Sequence, residues 1–559
     1  MLLALLYACH GGKVELDSDT GTPISWETGL WTDSGDSAHT GHTGETGETG
    51  DTAVASWVLV QAAPDGMVAA PGATWPLRLS AQDSAGSWSD VDGAWASSDP
   101  AVISVDDADV ATAVAVGTAT LTGSWEGLSA TLSAEVREDG TVVVSVVDQA
   151  TGALVTGASL VVDDGDLYKD DDGDGTVSAP VTSAGPIAIT VKARNYVPVT
   201  YWGTVSRSLT VPLRSAEAAS STATISGTVD LSEVPAGEFG QVVAGLAAGT
   251  VQGAPLLVDP DGLLAEDRTL DFYGVEASVP QNVYVGGVAE TYATPVEAGS
   301  AGVWTLGGPL PIGDLTAGVS GTGDVLAILA ANRDGLRWGW DAGGTLAAGD
   351  TLAVDLKPET TLDLLREVPV GALPLGFSGD EEVLVLVGQN MPDQGMVITG
   401  FGLGQDTVEV ASADVALDGA LSEQWVVVAQ VDGLGSGGAL VAAVADTDDS
   451  LPALPQVPSG DFDAASRAFS LSVDAGAAWV QVQITGGDGA VRDLYLAGGD
   501  SSGILPEAGI PFSYGSTTWK VLALHPATGT FEGYLLAGNL DADVVAQDAQ
   551  VAGRASLRF

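Results

Sequence analysis

The segment 170–175 reads DDDGDG, which places carboxylates at Asp170, Asp172 and Asp174 and a glycine at the sixth position. Three oxygen donors spaced two residues apart can curl around a hard cation, and the glycine permits the sharp turn that this needs. A bound ion also relieves the repulsion among crowded carboxylates. The pattern predicts a calcium site of modest affinity, and the competing interpretation is a solvated acidic hairpin loop.

A full calcium shell needs more donors than these three. Val181 stands at the twelfth position, where a helix–loop–helix calcium loop carries a bidentate glutamate, and we expect no helix on either side. We expect Asp163, Asp164 or Asp166 to complete the shell, because these are the carboxylates just before the loop.

The single cysteine, Cys9, offers a different chemistry. It ends the run LYAC at 6–9, and its thiol can accept a diacylglycerol. The run resembles a bacterial lipobox, which implies a signal over 1–9 and an exported lipoprotein anchored at the outer membrane or cell surface. The run at 2–6 lacks the Lys or Arg that export signals carry and is too short to span a bilayer, and a start assigned too far downstream would explain both. The competing interpretation is an ordinary cysteine.

Residues 10–55 are rich in Gly, Thr, Ser and acids and contain the repeat HTGHTGETGETGDT at 39–52. Such a segment cannot bury enough apolar surface to offset its ordering entropy. We expect a disordered, self-repelling tether. His39 and His42 can capture a stray metal ion, but a plain spacer is the favoured interpretation.

The overall composition restricts the class of protein. The 559 residues include 18 Lys and Arg against 74 Asp and Glu, a net charge of −56, so nucleic acid is excluded as a partner by repulsion. Gly at 74 residues, with abundant Val, Ala and Thr, is typical of short strands joined by tight turns. The sequence predicts an all-β protein of tandem β-sandwich domains without disulfides.

Two domains carry recognisable patterns. Over 56–137, Trp95 precedes SSDPAVISV at 97–105 and GTATLT at 117–122, which resembles the bacterial Ig-like domain, group 2. Over 138–215, the strand at 141–147 leads into TGALVTGA at 151–158, which resembles carboxypeptidase regulatory-like domains. Leu154 and Val155 replace the usual proline-containing pair there. The resemblances imply a sandwich and a transthyretin-like sandwich, and no catalytic residue is carried over.

The remaining chain divides less clearly. We expect a β-rich domain at 221–357 and one or two more at 368–559, split near the proline-rich 451–458. Strands are predicted, among other places, at 282–285, 324–329, 424–428, 479–484, 518–522 and 555–559. A short helix is predicted at 361–367.

Two segments match catalytic patterns without the context that those need. The run GDSSG at 499–503 presents Ser501, and His525 follows, but Pro506 breaks the helix that a nucleophile elbow requires. The run GLGSGG at 433–438 matches a dinucleotide loop, but the following apolar run is too short for a βαβ helix. We expect a Gly-rich hairpin there and no enzyme.

The leading interpretation is therefore a non-enzymatic surface lipoprotein acting in adhesion, surface structure or display, with the membrane and a glycan or surface protein as partners. The alternative is a carbohydrate-binding protein. Trp338 and Trp340 lie two apart, so both indoles can occupy one face of a strand and stack on a pyranose ring, unless they are packed in a core. A secreted hydrolase is the least favoured interpretation.

Overall fold

Strands and short turns make up most of the computed structural model. It describes residues 57–559 except 85–87, 139, 218–221, 259, 264–266, 273–274, 287–288, 314–321, 375, 378–380, 393, 435–437, 500, 508, 510–511, 539–540 and 548. Residues Val58–Phe559 form one compact unit. The prediction of an all-β fold is confirmed by these strands. The predicted signal and tether, with Cys9, His39 and His42, lie outside the described residues.

The first region forms three small sheets, in the orders β1-β4-β5, β2-β10-β9-β6 and β3-β8-β7. Trp75, Ile103 and Leu121 fill its core, and Trp95 packs against that core. The GTATLT segment at 117–122 lies in β9. The strands are β1 Trp57–Ala63, β2 Met67–Ala69, β3 Thr74–Pro76, β4 Arg78–Asp83, β5 Trp88–Asp90, β6 Ala94–Ser97, β7 Ile103–Val105, β8 Val110–Ala113, β9 Gly117–Trp125 and β10 Leu128–Val136.

The second region places two sheets face to face. Val142, Val144 and Val146 alternate along β11, and all three are fully buried. One sheet has the order β14-β11-β17, and the other begins β13-β12-β15-β16. The strands are β11 Thr141–Asp148, β12 Ser159–Val162, β13 Leu167–Lys169, β14 Thr176–Pro180, β15 Ile187–Lys192, β16 Val199–Thr204 and β17 Ser208–Leu213.

The third region contains a helix where the sequence predicted a strand. Val325, Leu326 and Leu329 are buried at the i, i+1, i+4 spacing of a helix, and a short apolar run alone does not distinguish the two. The elements are β18 Thr222–Asp230, β19 Gln241–Gly249, β20 Asp267–Phe272, β21 Val275–Pro280, β22 Val283–Gly286, β23 Ala289–Glu297, β24 Gly299–Pro311, α1 Thr322–Ala331, β25 Arg337–Leu346, β26 Thr351–Ala353 and β27 Thr360–Thr361.

The fourth region is mostly antiparallel. The predicted helix at 361–367 is wrong. Residues 364–367 belong to β28, whose side chains alternate between more and less exposed positions and whose backbone pairs with β31. The elements are β28 Leu364–Pro369, β29 Val383–Met391, β30 Gly395–Gly404, β31 Thr407–Ser412, β32 Glu423–Gln430, β33 Leu440–Asp446, β34 Ser459–Asp463, β35 Ala468–Ser472, β36 Trp479–Thr485, β37 Val491–Leu496, β38 Ser501–Ile504, β39 Thr518–Pro526, α2 Phe531–Leu536, α3 Ala542–Gln547 and β40 Ala549–Arg558.

One sheet of fourteen strands joins the second and fourth regions, in the order β13-β12-β15-β16-β37-β36-β39-β40-β33-β32-β29-β30-β31-β28. Its link is the parallel pair β16 and β37, in which Tyr201 lies opposite Tyr495. The sandwich expected at 138–215 and the β-rich region expected at 368–559 therefore share a sheet, which leaves neither with an open edge at this junction. Within the described residues, no helix has the length and apolar character needed to cross a membrane.

Candidate metal centre

The DDDGDG loop connects the two sheets of the second region. It follows β13, which pairs with β12, and leads into β14, which pairs with β11 in the facing sheet. The loop must therefore turn sharply between strands of different sheets. Gly173 and Gly175 have φ of 74° and 79°, a conformation that favours glycine. A side chain at Gly175 would also press on Leu154, since an added Cβ would lie 3.0 Å away.

Asp170 is the organising residue of this loop. Its Oδ1 accepts hydrogen bonds from the amides of Gly173, at 2.8 Å, and Asp174, at 3.2 Å. Its Oδ2 accepts from Gly175, at 3.1 Å, and from Gly157 in a neighbouring turn, at 2.8 Å. Burial raises the pKa of the Asp170 carboxyl, but these amide bonds outweigh it and hold the pKa below its ordinary value. Asp170 therefore remains a carboxylate with a fixed position.

Asp172 and Asp174 complete the cluster on the solvent side. One carboxylate oxygen from each of the three residues lies within 4.8 Å of the others, with Asp170 buried and the other two exposed. Asp174 Oδ1 also accepts the amide of Thr176 at 2.7 Å, which orients it toward the turn. Hard oxygen donors gathered on a prearranged loop suit a calcium ion, so the residues present fit the predicted metal.

The expected completion of the shell by Asp163, Asp164 or Asp166 is wrong. Asp163 Oδ1 accepts the amide of Ala188 at 2.8 Å, and Asp164 forms an ion pair with Arg467 at 3.2 Å. All three precede β13, whereas the cluster follows it, so a strand of about 10 Å separates the two groups. The cluster contains none of them.

The role of Gly157 was not visible in the sequence. Its amide donates a hydrogen bond to Asp170, thirteen residues later in the chain. Only the packing of the two turns against each other brings these groups together. The only signal in the sequence was the presence of a glycine at position 157. In the structure this glycine has a φ of 71°.

The predicted stacking platform of Trp338 and Trp340 is wrong. Trp338 is 4% exposed, and its indole N–H donates to the carbonyl of Ile398 at 2.8 Å. Trp340 is half-buried against the same core. The two indoles do share one face of β25, as the spacing indicates, but that face packs inward.

Neither catalytic pattern acquires catalytic geometry. Ser501 begins β38, which pairs with β35, and residues 505–507 after that strand form a loop rather than a helix. His525 lies on β39 with Nε2 3.6 Å from Asp474 Oδ1. Burial lowers the pKa of His525, and the charge of Asp474 only partly opposes this. The strands that flank the 433–438 run, β32 and β33, pair with each other, with Gln430 opposite Leu440, as a hairpin requires. Residues 435–437 of the run lie outside the described residues.

No family model and no curated protein matches the sequence. Among solved structures, the chain is similar to domains 4–9 of surface layer protein SbsC, with 10% identity over 90% of this chain and 82% of that one and a TM-score of 0.17. It is also similar to invasin, a bacterial integrin-binding protein, with 13% identity over 67% and 76% of the two chains and a TM-score of 0.12. Similarity at this level assigns neither fold nor function.

Proposed function

We propose that this protein is an exported, lipid-anchored surface protein whose β-sheet body acts in adhesion or surface structure and not in catalysis. The observation that carries the proposal is the continuous sheet of fourteen strands, which ties strands from Ser159 to Arg558 into one body without any disulfide. In the sequence, an acidic spacer and a lipobox-like cysteine precede this body. That order of parts suits a domain displayed away from a membrane.

The charge of the chain supports the same role. A net charge of −56 repels phosphate backbones and anionic lipid, attracts cations and basic ligands, and does not oppose the binding of neutral ligands. A chain with this charge resists non-specific association with other acidic surfaces. The partners that remain are a surface protein with basic character and a neutral glycan.

Replacing Cys9 with serine tests the anchor. The Cys9→Ser variant is expected to move from the membrane fraction to the soluble fraction, or to remain unprocessed, since serine cannot form the thioether. Each buried CH₂ of the acyl chains contributes about 0.8 kcal/mol, so loss of the lipid should release the protein almost completely. Fractionation followed by mass spectrometry of the N-terminus gives the readout.

Serine in place of Thr20 provides a matched control in the same segment and should leave the distribution unchanged. Equal membrane association of the Cys9→Ser and unaltered chains would exclude the lipid anchor. The adhesive role of the body would then need another means of attachment.

We also propose that Asp170, Asp172 and Asp174 bind calcium. The carboxylates of Asp172 and Asp174 are exposed beside the fixed Asp170, so an arriving ion meets a loop that needs little rearrangement. The ion is coordinated by the three carboxylates and offsets their mutual repulsion, with water and backbone carbonyls as the remaining ligands. Calcium would thereby stiffen the link between the two sheets.

Calcium at millimolar concentration is expected to raise the melting temperature of the full chain by about 2–5 °C, through binding to the folded state alone. Magnesium should have a smaller effect, because it loses its water less readily. Differential scanning calorimetry with and without a chelator measures both.

Asp172→Asn should abolish the calcium effect, whereas Asp171→Asn serves as the control. Asp171 is also exposed but is not part of the cluster. The same calcium response in both variants, or none in the unaltered chain, would return the loop to the interpretation of a solvated hairpin.

A further inference from the structure

A large cleft, with a volume of about 710 Å³, lies where β29, β32 and β33, interior strands of the fourteen-stranded sheet, reach one of their ends. Its walls come from β5, from the turn around Gln252, from the ends of β29, β32 and β33, and from α3. We call it the amide cleft, because five glutamines and one asparagine line it: Gln252, Asn390, Gln394, Gln424, Gln547 and Gln550. These residues are scattered over some 300 positions of the chain, so only the fold assembles them.

Three polar side chains on its floor form a ladder across neighbouring strands. Asn390 Nδ2 donates to Gln424 Oε1 at 2.6 Å, and Gln424 Nε2 donates to Asp446 Oδ1 at 3.0 Å. Gln424 and Asp446 face each other in the pairing of β32 with β33. Asn390 Nδ2 also donates to Ser422 Oγ at 3.5 Å. The ladder holds each side chain in one orientation, and a ligand can still bond the Asn390 carbonyl oxygen, the second N–H of Gln424 and the second oxygen of Asp446.

Trp88 provides the aromatic part of the wall. It is half-buried at the start of β5, the outer strand of its sheet. Trp88 also lines an adjoining cleft of about 480 Å³, which shares Pro452, Ala527 and Gln550 with the first. The indole therefore lies where the two clefts meet, and a ligand longer than one ring can extend past it.

The charge of the amide cleft narrows the ligand class. Its described lining residues include the carboxylates of Asp446 and Asp449 but neither Lys nor Arg, so an anionic ligand would find no counter-charge. Planar amides and carboxylates form paired hydrogen bonds with neighbouring hydroxyl groups, and an indole packs against the apolar C–H face of a sugar ring. A neutral ligand built of sugar rings can make both contacts, the hydrogen bonds through its hydroxyl groups and the packing against the indole through its C–H face.

We propose that the amide cleft binds a neutral oligosaccharide, with Trp88 packing against a sugar ring and the Asn390–Gln424–Asp446 ladder bonding its hydroxyl groups. This site supplies a ligand class for the adhesive role proposed above. It does not depend on the lipid anchor or on calcium, so the failure of either of those leaves this proposal standing.

Isothermal titration of the full chain tests the site with hexasaccharides of glucose, xylose and mannose, each at millimolar concentration. At least one should bind, and Trp88→Ala should weaken it about tenfold or more. Gln424→Ala should weaken the same sugar, because it removes the centre of the ladder. Trp125→Ala is the matched control, since Trp125 is another half-buried tryptophan and does not line the cleft.

Trp88→Phe keeps an aromatic ring and should retain part of the affinity, which separates loss of stacking from loss of folding. A sialylated hexasaccharide and a proline-rich peptide complete the panel. The proposal is overturned if no neutral sugar binds, if the anionic sugar or the peptide binds instead, or if Trp88→Ala binds as well as the unaltered chain.

Discussion

The free energy of unfolding should fall by about 3 kcal/mol as the pH rises from about 4.5 to about 7, through the titration of Glu532 alone. Glu532 lies in α2 and is buried. Burial raises the pKa of its carboxyl from 4.5 to about 7, although hydrogen bonds from Val205 and Thr204 and the charge of Arg207 oppose the shift. The amide of Val205 donates to Oε1 at 2.7 Å, and the Thr204 hydroxyl donates to Oε2 at 2.9 Å.

The sign of this effect follows from proton binding. Because the pKa of Glu532 is higher in the folded state than in the unfolded state, the folded state binds more protons between these two values. Its contribution to stability is therefore fully present below about pH 4.5 and is lost as the pH rises through about 7. Acid stabilises the fold here because protonation removes the cost of keeping a buried negative charge at the contact between α2 and the end of β16.

Urea unfolding at several pH values from about 4.5 to about 8 measures the effect. Glu532→Gln keeps the shape of the neutral side chain and should remove the pH dependence that this residue supplies. Glu382→Gln is the control, because Glu382 is exposed. Parallel pH curves for the unaltered chain and Glu532→Gln would contradict the prediction.

Trp519→Ala should destabilise the fold by about 4 kcal/mol, the range typical of a large aromatic removed from a core. Trp519 is fully buried, and its ring centre lies 5.0 Å from that of Phe462 and 5.5 Å from that of Phe559. Its N–H donates to the Thr517 hydroxyl at 3.1 Å, so truncation also leaves a buried polar group without this partner.

Trp519→Phe should cost clearly less, because it keeps most of the ring contacts. The neighbouring Lys520→Ala changes an exposed side chain on the opposite face of β39 and serves as the control. Chemical unfolding of the three variants gives the comparison. A loss for Trp519→Ala no greater than that for Lys520→Ala would mean that this core is not cooperative with the rest of the fold.

The sequence by itself determined the features that depend on neighbours along the chain. The alternation of Val142, Val144 and Val146 specified a strand with one buried face, because side chains point to opposite sides at every second residue. The DDDGDG run determined the acidic turn, since glycine alone adopts the required φ without cost. The glycine-rich run at 433–438 likewise predicted a hairpin, and the strands that flank it, β32 and β33, pair with each other.

Only the tertiary structure decided which apolar and polar groups meet over long distances. It made 322–331 a helix, because Val325, Leu326 and Leu329 find a core on one side. It buried Trp338 and paired Asp164 with Arg467, 303 residues away. The local pattern is the same whether a strand face meets a core or solvent, and a carboxylate has the same sequence signature whether it faces an ion or an arginine. Those choices depend on packing between distant segments, and the Asn390–Gln424–Asp446 ladder arises in the same way.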